Sequence, residues 1–210
     1  MPLLSYIVLR ARCRSCRRRI SARYPLVEAI CIVLSILLWL KLGRPLDYLL
    51  YFCLLVVPLV VISFIDLSHR VIPDVISIPG IFVGIGVHLI LEGSGRYPQA
   101  AMNSVVGAVL GGAMLFVVAF VYEKIKKQEG LGGGDIKLIA MLGAFFGWRA
   151  AIFILFMSSV LGSIVGAMLV LVLRKDMKYA IPFGPFLSLA GLVYLFFGRY
   201  LVQWYVGLLG

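Results

Sequence analysis

Leu46-Asp47-Tyr48-Leu49-Leu50-Tyr51-Phe52-Cys53-Leu54-Leu55-Val56-Val57-Pro58-Leu59-Val60-Val61-Ile62-Ser63-Phe64-Ile65 runs almost without a polar side chain and then stops at Asp66. Its length matches the roughly 20 residues that carry an α-helix across about 30 Å of hydrocarbon. Further apolar stretches lie at Leu26 to Leu42, Val75 to Leu91, Ala100 to Val121, Ile136 to Trp148, Ala150 to Leu173 and Ile181 to Phe197. The whole composition agrees, with 62% hydrophobic and 14% charged residues and a mean hydropathy of +1.06. A water-soluble domain so built would expose large apolar patches. The expected fold is therefore all-α, a polytopic transmembrane bundle of about seven spans with the bilayer as its solvent. Ile136 to Trp148 is short for a full crossing, and is expected to be half-length, tilted or sheltered by its neighbours. Met1 to Leu9 leads into an arginine cluster with no small-residue cleavage site, which argues against a cleaved signal peptide.

A formal net charge of +11 raises nucleic acid as a partner. The basic residues, however, sit in loops between apolar spans, where membrane topology and lipid headgroups account for them. When the loops alternate sides, fifteen of the twenty Lys and Arg fall on one face, from the Arg10–Arg23 cluster to Lys178. That face is expected to be cytoplasmic. The same alternation puts Asp66, closing the second span, and Asp135, opening the fifth, on one face at similar depth.

Most acids lie in loops as solvated charge, but Asp66 and Asp135 stand at the lips of spans, where ionisation is costly and a partner or a function is expected. Helix capping is the ordinary role for Asp135; for Asp66 it is a bond to Arg70 or His69. Gly132-Gly133-Gly134 immediately before Asp135 shifts that balance. Three residues without side chains let another backbone approach the acid closely, as an extended peptide must when its bond is cut. Gly107, Gly111 and Gly112 in the fourth span suit close helix packing.

The stretch Glu129-Gly130-Leu131-Gly132-Gly133-Gly134-Asp135-Ile136-Lys137-Leu138 resembles the GxGD signature of prepilin peptidases, the type IV leader peptidases of type IV pilus and type II secretion systems. Ile65-Asp66 with Ile72-Pro73-Asp74 resembles the first aspartate motif of that family. Arg23-Tyr24-Pro25-Leu26-Val27-Glu28 resembles the segment leading into its second span, and Ile181-Pro182-Phe183-Gly184-Pro185-Phe186 its proline-glycine motif before the last span. The resemblance implies an intramembrane aspartic endopeptidase that removes the basic leader from type IV prepilins or type II pseudopilins, with Asp66 and Asp135 as the catalytic pair. Two adjacent carboxylates cannot both ionise cheaply, so the pair is expected to share one proton. The competing readings are a transporter or channel, and an inactive membrane adaptor with the same fold.

Around that pair, Gly132, Gly133, Gly134, Asp74, Glu129 and Lys137 are candidates for motif support or substrate contact. Asp74 is expected to cap the third span, and Glu129 and Lys137 to be loop charges. Residues 1–25 are read as a basic cytoplasmic segment and 26–210 as the peptidase domain. Cys13-Arg14-Ser15-Cys16 is a single CxxC, half of the four ligands a structural zinc takes. The family carries two such pairs after an additional span, so the chain is expected to begin within that loop and any zinc to need donors from elsewhere. The resemblance also implies N-methylation with S-adenosylmethionine, but that activity depends on a region expected to be partly missing. Proteolysis itself requires no cofactor. Cys31 and Cys53, inside apolar runs, are expected to be buried.

Overall fold

The computed structural model describes residues 2–92, 97–126, 132–171 and 181–209. The named elements are all helical; residues 9–22, between the first two helices, form turns closed by one isolated bridge, Arg12 to Arg19. The chain divides into two compact units, Met1–Val60 and Val61–Gly210.

In the first unit, α1 (Pro2–Val8) packs on α2 (Arg23–Leu42), and α2 on α3 (Pro45–Tyr51). Gly43 ends α2 in the left-handed conformation, with φ 63° and its N–H on the Trp39 carbonyl at 3.0 Å, a backbone state that glycine adopts without penalty. Pro45 then restarts the chain at the first helical position, where its missing N–H costs nothing. Ser35 and Tyr48 share a hydrogen bond of 2.7 Å, and Trp39 meets Tyr48 edge-on. Phe52–Val56 form one π-helical turn, with the Val57 N–H bonded to the Phe52 carbonyl. Pro58 explains it: lacking an N–H and crowding the turn before it, this residue is accommodated by widening that turn.

α4 (Val57–His69) carries the chain into the second unit. The helix runs one turn beyond the expected span end, so Asp66 is a helical residue. Ser68 Oγ donates to the Phe64 carbonyl at 2.8 Å, and Arg70, with φ 55°, turns the chain away while its N–H bonds the Asp66 carbonyl at 2.8 Å. Then follow α5 (Asp74–Glu92), α6 (Tyr97–Lys126), α7 (Gly133–Phe146), α8 (Trp148–Leu171) and α9 (Gly184–Leu209). Each expected span thus has its helix, and the chain is a helical membrane bundle. Among the described residues five helices are long and apolar enough to cross a bilayer, lying at Arg23–Leu42, Pro45–His69, Asp74–Leu91, Tyr97–Ile125 and Trp148–Leu169.

α7 is the short one, 14 residues rising about 21 Å, and it forms the centre of the second unit. It packs against α5, α6, α8 and α9, and Leu138, Ile139, Met141, Leu142, Ala144 and Phe145 are all fully buried. Lipid offers helices no hydrophobic drive to associate, so contact depends on close packing. Small residues supply it. A methyl group at Gly107 of α6 would strike the Gly143 carbonyl, and one at Gly143 would strike Gly107. Gly84 of α5 makes room for Phe145, and Gly191 of α9 for Leu142. Ser104 Oγ donates to the Ala144 carbonyl at 2.6 Å. The expectation for Gly107 and Gly111 is met at this crossing. Many large apolar side chains elsewhere, Leu40, Val75, Phe82 and Phe156 among them, are exposed, as lipid-facing surface requires. One expectation is corrected here: Cys53 is exposed and Cys31 only half-buried, because a helix in lipid turns apolar side chains outward as readily as inward.

Candidate active site

α4 ends, and α5 and α7 begin, around one open cavity of about 540 Å³. Asp66, in the last turn of α4, and Asp135, in the first turn of α7, both line it. Each is almost out of contact with solvent, at 5% and 8% exposure. Two acids 69 positions apart in sequence are thereby brought to one hollow.

Local structure fixes Asp135 first. Gly132 is the extended N-cap residue of α7, and Asp135, three positions on, reaches back so that its carboxylate accepts the Gly132 N–H. This is the reciprocal half of a capping box, made by an acid at the third helical position. Asp135 is thus the third residue of the helix, where the sequence had weighed it as the N-cap itself, and the bond to Gly132 holds its carboxyl at the cavity wall. Burial pushes the Asp135 carboxyl up from its ordinary 3.8 to about 7, and the Asp66 charge adds to the rise, against the Gly132 hydrogen bond. Desolvation and a like charge both disfavour the carboxylate.

Asp66 is held from another direction. Its Oδ2 accepts the Gly184 backbone N–H at 2.9 Å. Gly184 is the first residue of α9, so the acid satisfies a helix-end donor that has no partner within its own helix.

Asp74 and Lys137 sit at the same cavity. Lys137 Nζ lies 2.7 Å from both Asp74 oxygens, and both side chains are partly exposed. Lys137 is thus a paired residue within α7 where a loop charge was expected. Asp74 begins α5, as a capping acid would, but its carboxylate is engaged by the lysine. A pair this exposed contributes roughly 0.2–1 kcal/mol. Gly132, Gly133 and Gly134 line the cavity, and they differ in what they would tolerate. A methyl at Gly134 would come within 2.8 Å of Ile72 Cβ, whereas at Gly133 it would meet nothing within 4 Å. Glu129 lies outside the described residues.

Cys13 and Cys16 are in the first unit. The N–H groups of Cys16 and then Ser15 point at the Cys13 sulfur, and together with the Cys16 side chain they hold that thiol below its usual range. The Cys13 N–H also bonds the Arg18 carbonyl at 2.9 Å. N–H groups aimed at sulfur suit a thiolate that ligates metal, so the pair fits two positions of a zinc site. Among the described residues no group of three or more His, Cys, Asp or Glu gathers to complete one.

The contact between Gly184 and Asp66 is the feature that sequence reasoning missed. Its signal was Pro182-Phe183-Gly184-Pro185 ahead of an apolar run, which marks a rigid helix start but says nothing of a partner 118 residues earlier.

The fold and the site together define a helical membrane protein with two buried carboxylates on one glycine-walled cavity. The profile of the Type IV leader peptidase family matches residues 50–167, and that of the Bacterial Peptidase A24 N-terminal domain matches residues 1–42. A prepilin leader peptidase/N-methyltransferase of Pseudomonas putida is 39% identical over 94% of this chain and 67% of its own length. The proteins of the same name from Aeromonas salmonicida (strain A449) and Pseudomonas aeruginosa are 37% and 33% identical, over 98% and 100% of this chain and 69% and 70% of their own lengths. The chain belongs to the type IV leader peptidase family. No solved structure matches it significantly.

Proposed function

We propose that this protein is an aspartic endopeptidase that removes the basic leader from type IV prepilins or type II secretion pseudopilins at the cytoplasmic face of the inner membrane. The observation that carries the reading is the burial of Asp66 and Asp135 on one cavity, with the charge of the first raising the proton affinity of the second. The names of the relatives support the substrate. The concentration of Lys and Arg on one side supports the cytoplasmic face.

In this mechanism the two acids share one proton. The ionised carboxylate takes a proton from a water molecule as its oxygen attacks the scissile carbonyl carbon. The protonated carboxyl donates a hydrogen bond to the carbonyl oxygen as negative charge develops there. The carbon–nitrogen bond then breaks, and the departing amine takes a proton from the dyad, leaving one proton shared as before. Gly133, open to the cavity, leaves space for a substrate backbone to lie beside Asp135.

Cys13 and Cys16 would supply two thiolates to a structural zinc, which would need further donors and would brace the basic segment without a part in hydrolysis. Metal analysis of the purified protein beside Cys13→Ser tests this; stoichiometric zinc that survives the substitution excludes the pair as ligands.

Incubating the purified protein in lipid with a prepilin and following leader loss by mass tests the main reading. Cleavage at the junction between leader and hydrophobic helix is expected. An intact prepilin, with the protein folded, points to a transporter or an inactive adaptor.

A further inference from the structure

The start of α9 does more than begin a helix. The Phe186 and Leu187 N–H groups both bond the Phe183 carbonyl, at 3.0 and 3.2 Å, and Pro185 has no N–H to offer. Among these first residues the Gly184 N–H is the donor directed out of the helix, and it ends on Asp66 Oδ2. There is no room for a side chain at that point. A methyl at Gly184 would lie 2.7 Å from Asp66 Oδ2, 3.2 Å from its Cγ and 3.1 Å from Ile72 Cδ1. Ile72 is itself 7% exposed, and its other side presses on Gly134, one residue before Asp135. A single isoleucine is therefore wedged between two side-chain-free backbone positions, one bonded to the first acid and one adjoining the second.

We infer that Gly184 is a positioning residue for the Asp66 carboxylate and that Ile72 is the wedge setting the spacing between the strap at Gly184 and the backbone of Asp135. The inference rests on the peptidase reading above. With Oδ2 committed to a backbone donor, Oδ1 is the oxygen left to receive the proton of the attacking water. An N–H donor favours the charged form of a carboxylate over its acid, so the strap suits Asp66 to act as base.

Leader removal by Gly184→Ala tests it. The added methyl must drive the Asp66 carboxylate several tenths of an ångström from its seat. Misplacement of that order lowers kcat by about ten- to a hundredfold, with KM within about twofold because substrate still binds in the cavity. The double variant Ile72→Val/Gly184→Ala loses the Cδ1 that confines the methyl from the far side, so it is expected to regain a large part of the lost kcat. A merely disturbed helix start would not be mended by that change. Full kcat in Gly184→Ala overturns the inference, as does a loss that Ile72→Val leaves untouched. If Gly184→Ala fails to insert, amide exchange at Gly184 decides in its place: Asp66→Ala should speed it by at least about tenfold, the usual reach of one lost hydrogen bond, and unchanged exchange overturns the inference. Asp66→Asn in the same assay separates the two levels. An active Asp66→Asn sinks the peptidase reading itself, whereas an inactive one beside a fully active Gly184→Ala sinks only the strap.

Discussion

Raising the pH through neutrality should switch this protein off, and the cause should be Asp135. Its carboxyl stands in the first turn of α7, ahead of the apolar stretch that begins at Ile136, and burial together with the Asp66 charge brings its titration to about 7. Below that pH it holds the proton that the mechanism donates to the scissile carbonyl. At about pH 8, one unit above, only about a tenth of the molecules retain it, so the rate of leader removal should fall about tenfold. Stability should move with it. In the unfolded chain the same carboxyl titrates near its ordinary 3.8, so between that value and about 7 the folded state binds the extra proton. Stability is then fully present below the lower value, declines as pH rises across the window, and levels off above the upper one. The assay is a pH–rate profile on a prepilin, with infrared titration of the protonated carboxyl beside it. In Asp66→Asn the carboxyl band of Asp135 should titrate below about 7, because the like charge is gone, yet stay above the ordinary value, because burial remains the larger cause. A rate that stays flat through pH 8.5, or a band indifferent to Asp66→Asn, would refute the reasoning.

Other expectations follow from packing and pairing. Gly107→Ala places a methyl against the Gly143 backbone and should cost about 1–3 kcal/mol or more through forced separation of α6 and α7, read as a lowered unfolding midpoint. Gly133→Ala meets no atom of the protein, so its midpoint should match the parent while KM for prepilin rises; an unchanged KM would mean that substrate does not pass there. Lys137→Ala and Asp74→Ala should each cost about 1 kcal/mol or less, and the double variant should cost less than the sum, since one contact accounts for both.

The helices were legible because a bilayer imposes a simple demand, a long apolar run with polar punctuation, and each expected span has its helix. Boundaries were less so. The continuation of α4 through Asp66 depends on Ser68 bonding back to Phe64 and on Arg70 taking a left-handed turn, neither of which hydropathy records. Asp66 and Asp135 stood out as acids beside apolar runs, and loop alternation was enough to bring them to one face. Their partners were not visible. Gly184 and Ile72 are apolar residues whose part lies in where a backbone N–H points and how closely two chains pass, and the Asp74–Lys137 pair joins positions 63 residues apart. Cys53 misled because in lipid an apolar run says that a helix spans, not which way each side chain faces.

The most direct measurement is leader removal by Asp66→Asn and Asp135→Asn, each purified, shown to be inserted and folded, and given the same prepilin as the parent. Both should leave the leader attached, since neither half of the dyad can work without the other. Normal cleavage by either variant would contradict the claim that these two carboxylates carry out the reaction.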